Sequence, residues 1–292
     1  MAGELHAGNH YLGLQLNYHV THITCHGMAH GLNGYREVVE SVIWGLRELG
    51  HTVESGTDTF SESATNIIIG AQMLEVDVLQ KLPPSTIVYN FEQLRGASLL
   101  KPALTYAATN FKVWDYSEAN ADTWKQLGAE CRIVPVGYAP PLTRIPKAPV
   151  QDIDVLIYGS PGPDRLDAFY HLCQSGLTTV FVCGLYGKAR DELIARSKLI
   201  VNVNLYSAKI FEIVRVSYLM ANRKAVVADI DAETFIEEDI RAGICVAAPS
   251  ALIDQCYVLA THEDRRRAVE ESGFEAIRGR DIRRILETAL AG

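Results

Sequence analysis

Three charged residues, Lys209, Glu212 and Arg215, interrupt the otherwise largely apolar stretch NVNLYSAKIFEIVRVSYLMANRKAVVAD at 202–229. On a helix, a spacing of three puts neighbouring side chains within reach, so the carboxylate would sit between two cations. Read as a helix over 207–222 with Ser207 as its N-cap, the segment places Glu212 in the first turns, just past a strand end. Free N–H groups at such a helix start favour anions. Lys209 and Arg215 would then meet a diphosphate while Glu212 holds sugar or ribose hydroxyls. The competing reading is a solvated helix face whose pairs contribute about 0.3 kcal/mol each.

Other candidates cluster where strands give way to loops. Gly159 and Ser160 end one predicted strand, and Gly184, Leu185 and Tyr186 follow another. Both sets would lie at the carboxyl edge of a parallel sheet, where ligands bind, or would be ordinary turn residues. Asn202 and Asn204 are polar in a strand built for burial. In HGLNGY (30–35), Gly31, Asn33 and Gly34 form a loop whose backbone could approach a phosphate closely. His19, His22, His26 and His30 crowd one segment. Helical stacking of the four would make a metal site. The β-branched residues among them favour a strand or loop instead, with a residue such as His26 serving as a general base. Glu92 and Asp115, each at a strand end, are the carboxylate candidates for that base, and turn capping is the other reading for Asp115. The sequence contains no P-loop, HExxH or GxSxG pattern, and neither of its two DxD triplets, 152–154 and 229–231, is read as a divalent-ion site.

These residues need a frame. The chain has 292 residues, long enough for two domains, with 48% hydrophobic and 21% charged residues. A net charge of -8 speaks against a nucleic-acid partner. Cys25, Cys131, Cys173, Cys183, Cys245 and Cys256 form no CxxC pair, which points to reduced thiols and a cytoplasmic location. No signal peptide and no membrane-spanning run is visible in the sequence. Strand-like and helix-like patterns alternate from YLGLQLNY (11–18) to CRIVPVGY (131–138), and again from DVLIYGS (154–160) to GICVAAP (243–249). That alternation predicts βαβ units and parallel sheets. Between them, 137–152 holds four of the eleven prolines and neither period, so it reads as a stiff linker. The expected organisation is α/β: two Rossmann-like domains facing across a cleft, 1–138 and 153–292, joined by a Pro-rich linker at 139–152.

The series DVLIYGS, VFVCGLYG, ARSKLIVNVNLY and AKIFEIVRVSYLMANRKAVVAD resembles the nucleotide-sugar-binding domain of GT-B glycosyltransferases. The similarity is to the bacterial glycosyltransferase 4-like (family 1) group and covers 153–250. The first half, through YNFEQL and VWDYSEANADTWKQLG, is similar to the acceptor-side domain. The resemblance implies transfer of a sugar from a nucleotide-diphosphate donor to a hydroxyl acceptor, with no metal and no cofactor. It implies donor contacts from Asn204, Tyr206, Ser207, Ala208, Lys209, Phe211 and Glu212, with Glu212 on the donor sugar. The Gly184 loop would approach the base, and the Gly31–Gly34 loop would lie beneath the donor phosphates. Where the family carries a second glutamate, eight residues on, this chain has Met220. A non-catalytic nucleotide or sugar sensor, or an epimerase of the same fold, would share this architecture.

Overall fold

The computed structural model describes residues 15–24, 34–96 and 100–291. The first half builds a six-stranded parallel sheet from β1 (Asn17–His22), β2 (Thr52–Thr57), β3 (Thr65–Ile69), β4 (Ile87–Asn90), β5 (Lys112–Asp115) and β6 (Cys131–Ile133). Its strand order is β2-β1-β3-β4-β5-β6. The connections carry α1 (Arg36–Glu48), α2 (Val76–Leu79), α3 (Pro102–Asn110) and α4 (Ala121–Gln126). The second half builds a five-stranded parallel sheet, ordered β11-β10-β9-β7-β8. Its elements are β7 (Ile153–Tyr158), α5 (Pro163–Gln174), β8 (Thr179–Val182), α6 (Gly187–Arg196), β9 (Ser197–Asn202), α7 (Ile213–Ala221), β10 (Ala225–Asp229), α8 (Glu238–Ala242) and β11 (Cys245–Ala247). The chain closes with α9 (Leu252–Thr261), α10 (Glu263–Gly279) and α11 (Ile282–Leu290).

The strands form where sheets covered on both faces require continuous apolar runs. Ile67, Ile68 and Ile69 of β3, and Val155, Leu156 and Ile157 of β7, are all essentially fully buried. The strand expected at 11–18 is displaced: β1 begins at Asn17, and 11–14 lies outside the described residues.

Two features tie the halves together. Asn222, just beyond α7, accepts from Arg144 N and Ile145 N at 2.7 Å each and donates to Leu142 O at 2.9 Å, which clamps the proline-rich connection. The last helix then returns to the first half. Ile282 and Leu286 of α11 pack on α1 at Gly45, where an added Cβ would lie 2.8 Å from Leu286 Cδ1. A glycine inside a helix costs about 1 kcal/mol relative to alanine, and here it permits the close approach of α11. The carboxyl edges of β7 and β9 thereby stand opposite the loop after β4.

Candidate donor cleft

Between the two sheets lies a cleft of about 270 Å³, lined by residues from both halves. Its second-half wall is organised around Glu212. This residue is the N-cap of α7. The helix starts at Ile213, six residues later than the sequence pattern suggests. The reason is tertiary: Ile210 and Phe211 are held extended where they pair with the run at Phe235. Phe211 N donates to Phe235 O at 2.9 Å, and Phe235 N to Lys209 O at 2.8 Å, so the segment bridges to a neighbouring strand-like run. A left-handed Lys209 (φ 48°) turns the chain into it.

This path separates Lys209 from Glu212. The Lys209 ammonium pairs with Asp231 and with Glu233, the latter at 2.8 Å, outside the main cleft. The two carboxylates hold its pKa above the usual lysine value. The cation that joins Arg215 at Glu212 is instead Arg165, from the first turn of α5. Arg165 Nη2 donates to Glu212 Oε1 at 2.5 Å, and Arg215 pairs with the other carboxylate oxygen. Leu205 N also donates to Glu212 Oε1, at 3.3 Å. Each guanidinium is fixed by backbone. Arg165 donates to Val203 O at 2.9 Å and Ser160 O at 2.8 Å, and Arg215 to Tyr158 O and, at 2.7 Å, to Asn202 Oδ1. Burial lowers the pKa of Arg165; burial and the neighbouring Arg165 bring Arg215 down to about 10. Both remain charged at neutral pH.

Gly159 admits this cluster. Its φ is 126°, and a Cβ there would stand 2.6 Å from Arg215 Nη1 and 3.2 Å from Arg165 Nη1. Ser160, Tyr186, Tyr206, Phe211 and Gly34 also line the cleft. Gly184 and Leu185 do not, because the chain turns away at a left-handed Gly184 (φ 69°) and re-enters only at Tyr186. Asn204 and Ser207 line a separate depression with Lys209, and Ala208 packs against the core. Asn204 Nδ2 donates to Thr234 Oγ1 at 3.3 Å. His26, Gly31 and Asn33 lie outside the described residues.

On the first-half wall, Glu92 faces the cleft at the end of β4. Its Oε1 accepts from Tyr35 OH at 2.6 Å and Gln72 Nε2 at 2.7 Å. Among the described residues Oε2 accepts no hydrogen bond. Asn90 shapes this turn, accepting from Glu92 N at 3.1 Å and donating to Glu92 O at 3.0 Å. Asp115 is fully buried away from the cleft and is a structural anchor. It accepts from Trp124 Nε1 at 2.6 Å, Asn90 Nδ2 at 2.7 Å, Ser117 N at 2.8 Å and Asn120 Nδ2 at 3.0 Å. His19 and His22 lie three apart on β1, and so on opposite faces of a strand. Among the described residues no three His, Cys, Asp or Glu side chains are grouped to hold a metal ion.

Several cleft residues carry no signature in the sequence. Arg190 of α6 reaches across to Glu37 of α1 at 2.6 Å, and its guanidinium lies over the Tyr218 ring. Gln93 makes a two-point contact with Ile210, donating to its carbonyl at 2.7 Å and accepting from its N–H at 3.2 Å. These contacts span the two halves. In the sequence Arg165 and Arg190 read as surface arginines of amphipathic helices. The one available hint was that each falls in the first turns after a strand-end loop.

No family model matches the chain, and no curated protein matches it. Solved structures do. Sucrose-phosphate synthase from Thermosynechococcus elongatus superposes with a TM-score of 0.63 at 12% identity, covering 94% of this chain and 98% of that one. HepE of Anabaena, solved with UDP and glucose, gives 0.60 at 12% identity over 94% and 99%. AviGT4, a glycosyltransferase of avilamycin A biosynthesis, gives 0.59 at 15% identity over 94% and 96%. With its two parallel sheets across a cleft, the chain has the GT-B fold.

Proposed function

We propose that this protein is a glycosyltransferase that moves a sugar from a nucleotide-diphosphate sugar to a hydroxyl acceptor without a metal ion. The observation that carries the reading is the pair of guanidiniums, the buried Arg165 and the partly buried Arg215, held on one carboxylate at the carboxyl edge of the second sheet. Two fixed cations beside the first turn of α7 supply the charge that a leaving diphosphate needs. Structural neighbours that bind UDP and glucose, such as HepE, favour the same ligand class. In this reading 153–292 is the donor half and 1–138 the acceptor half.

The donor diphosphate lies against Arg165 and Arg215 and takes over part of their pairing with Glu212. The freed carboxylate oxygen then accepts hydrogen bonds from hydroxyls of the transferred sugar. Lys209 takes no part at the diphosphate, because Asp231 and Glu233 hold it. Glu92 acts as base: its Oε2 removes the proton of the acceptor hydroxyl as the hydroxyl oxygen attacks the anomeric carbon. The bond from that carbon to the diphosphate breaks, and its electron pair leaves on the nucleotide. Tyr35 and Gln72 orient Glu92 for this step.

A panel of UDP-, GDP-, dTDP-, ADP- and CMP-sugars, assayed for sugar release and transfer with EDTA present, tests the proposal. One nucleotide class should turn over at an unchanged rate in EDTA. Binding without turnover under any acceptor would make the chain a sensor. Activity lost in EDTA and restored by a divalent ion would overturn metal independence.

A further inference from the structure

The loop after β4 is an arm fixed by the first half and aimed at the second. Asn90 brackets Glu92, accepting from its N–H and donating to its carbonyl. Asn120 fixes the main chain on either side of Gln93, donating to Glu92 O at 2.8 Å and accepting from Leu94 N at 2.8 Å. Asn120 is itself fully buried and donates to the Asp115 carboxylate at 3.0 Å. The arm's backbone is thus set independently of the second half. Two of its side chains cross to that half: Gln93 to Ile210, and the exposed Arg95 to Glu233 O at 3.0 Å.

Ile210 is the point at which the second half can be gripped. Along an extended run, successive residues turn their N–H and C=O groups to opposite edges. Phe235 takes one edge, accepting from Phe211 N at 2.9 Å and donating to Lys209 O at 2.8 Å. The N–H and C=O of Ile210 face the other edge, and the Gln93 amide meets both, at 3.2 and 2.7 Å. A side-chain amide carries an acceptor and a donor, and so supplies what an adjoining strand would. Ile210 is 2% exposed, and without the amide its peptide groups lose their partners. The two ends of this contact adjoin two carboxylates of the cleft. Gln93 directly follows Glu92, and Ile210 precedes Glu212 by two residues.

We infer that Gln93 is a positioning residue: by gripping the Ile210 main chain it sets Glu92 against the donor held at Glu212. The inference rests on the transfer reading above. A misplacement of about 1 Å between reacting groups costs on the order of a hundredfold in rate, so the effect belongs in kcat and not in donor affinity. The test takes the donor that turns over in the panel and measures nucleoside diphosphate release at saturating donor. Affinity for the nucleoside diphosphate is measured alongside by calorimetry. Gln93→Ala should lower kcat at least about tenfold with that affinity held within about twofold. Gln93→Asn keeps the amide but is one methylene short, and should behave alike. Arg95→Ala removes the arm's other cross-cleft bond, which lands on Glu233 and not beside Glu212, and should keep kcat within about twofold. In a Glu92→Gln background, Gln93→Ala should lower the residual rate by less than about twofold, because Gln93 acts through that carboxylate. Parental turnover by a folded Gln93→Ala or Gln93→Asn protein overturns the inference and leaves the transfer reading standing. So does an equal loss in Arg95→Ala, a fall in nucleotide affinity that matches the fall in kcat, or full additivity with Glu92→Gln. Gln93→Asn carries the test if Gln93→Ala does not fold, and loss of folding in both shows a purely structural contact, which also overturns it. No turnover of any donor by the wild-type protein removes both readings.

Discussion

At the scale of single residues, Glu212 holds the site together and limits it. Its carboxylate bridges two guanidiniums that otherwise repel each other and offsets one of their two charges. Glu212→Gln removes that charge and keeps the shape. Removing one partner from a buried ionic group costs about 3 kcal/mol, so the unliganded variant should melt well below the parent. A nucleoside diphosphate should restore much of the loss, because its phosphates supply the missing negative charge. Transfer should fall about a hundredfold as the sugar loses its preorganised acceptor. Thermal melts with and without nucleotide, together with initial rates, check all three; a variant that melts and transfers like the parent contradicts them. Gly159→Ala tests the cradle: its methyl group would collide with Arg215 Nη1 at 2.6 Å on a backbone with φ 126°. Nucleotide affinity should drop at least tenfold while secondary structure by circular dichroism is kept.

At the scale of elements, the alternation of strands and helices was legible, because buried parallel strands must be continuous apolar runs and their crossover helices must be amphipathic. The helix expected at 207–222 was not, because the pair Ile210–Phe211 fits a helical face as well as an extended bridge, and only the partner Phe235 decides. Glu92 and Arg215 were found from their types and places after strands. Arg165 escaped because nothing in α5 distinguishes an arginine turned inward from one facing solvent. Asp115 joins β4, β5 and α4 through its buried carboxylate, and burial raises its pKa from 3.8 to about 6. Between those pH values the folded protein retains a proton that the unfolded chain releases. The native state therefore binds more protons there, and its stability falls as pH rises through that window. In Asp115→Asn this contribution is absent. The stability advantage of the parent over the variant should be largest near pH 4 and shrink by on the order of 2 kcal/mol by pH 7. Urea melts across that range measure it, and a pH-independent difference would show that Asp115 does not titrate as described.

At the scale of the whole molecule, two sheets, a clamped connection and a returning helix bring Glu92 of the first half and Glu212 of the second to a common cleft. Cross-cleft contacts from Gln93 to Ile210 and from Arg190 to Glu37 hold that arrangement. The central claim is that the cleft takes a nucleoside diphosphate through Arg165 and Arg215. Titration calorimetry of the preferred nucleoside diphosphate and its parent nucleoside, against the wild-type protein and Arg215→Gln, addresses it most directly. Losing one charge-assisted contact of about 2 kcal/mol should weaken the diphosphate roughly thirtyfold and leave the nucleoside unaffected. Equal diphosphate affinity in the two proteins, or no nucleotide binding by the folded wild type, would contradict the account.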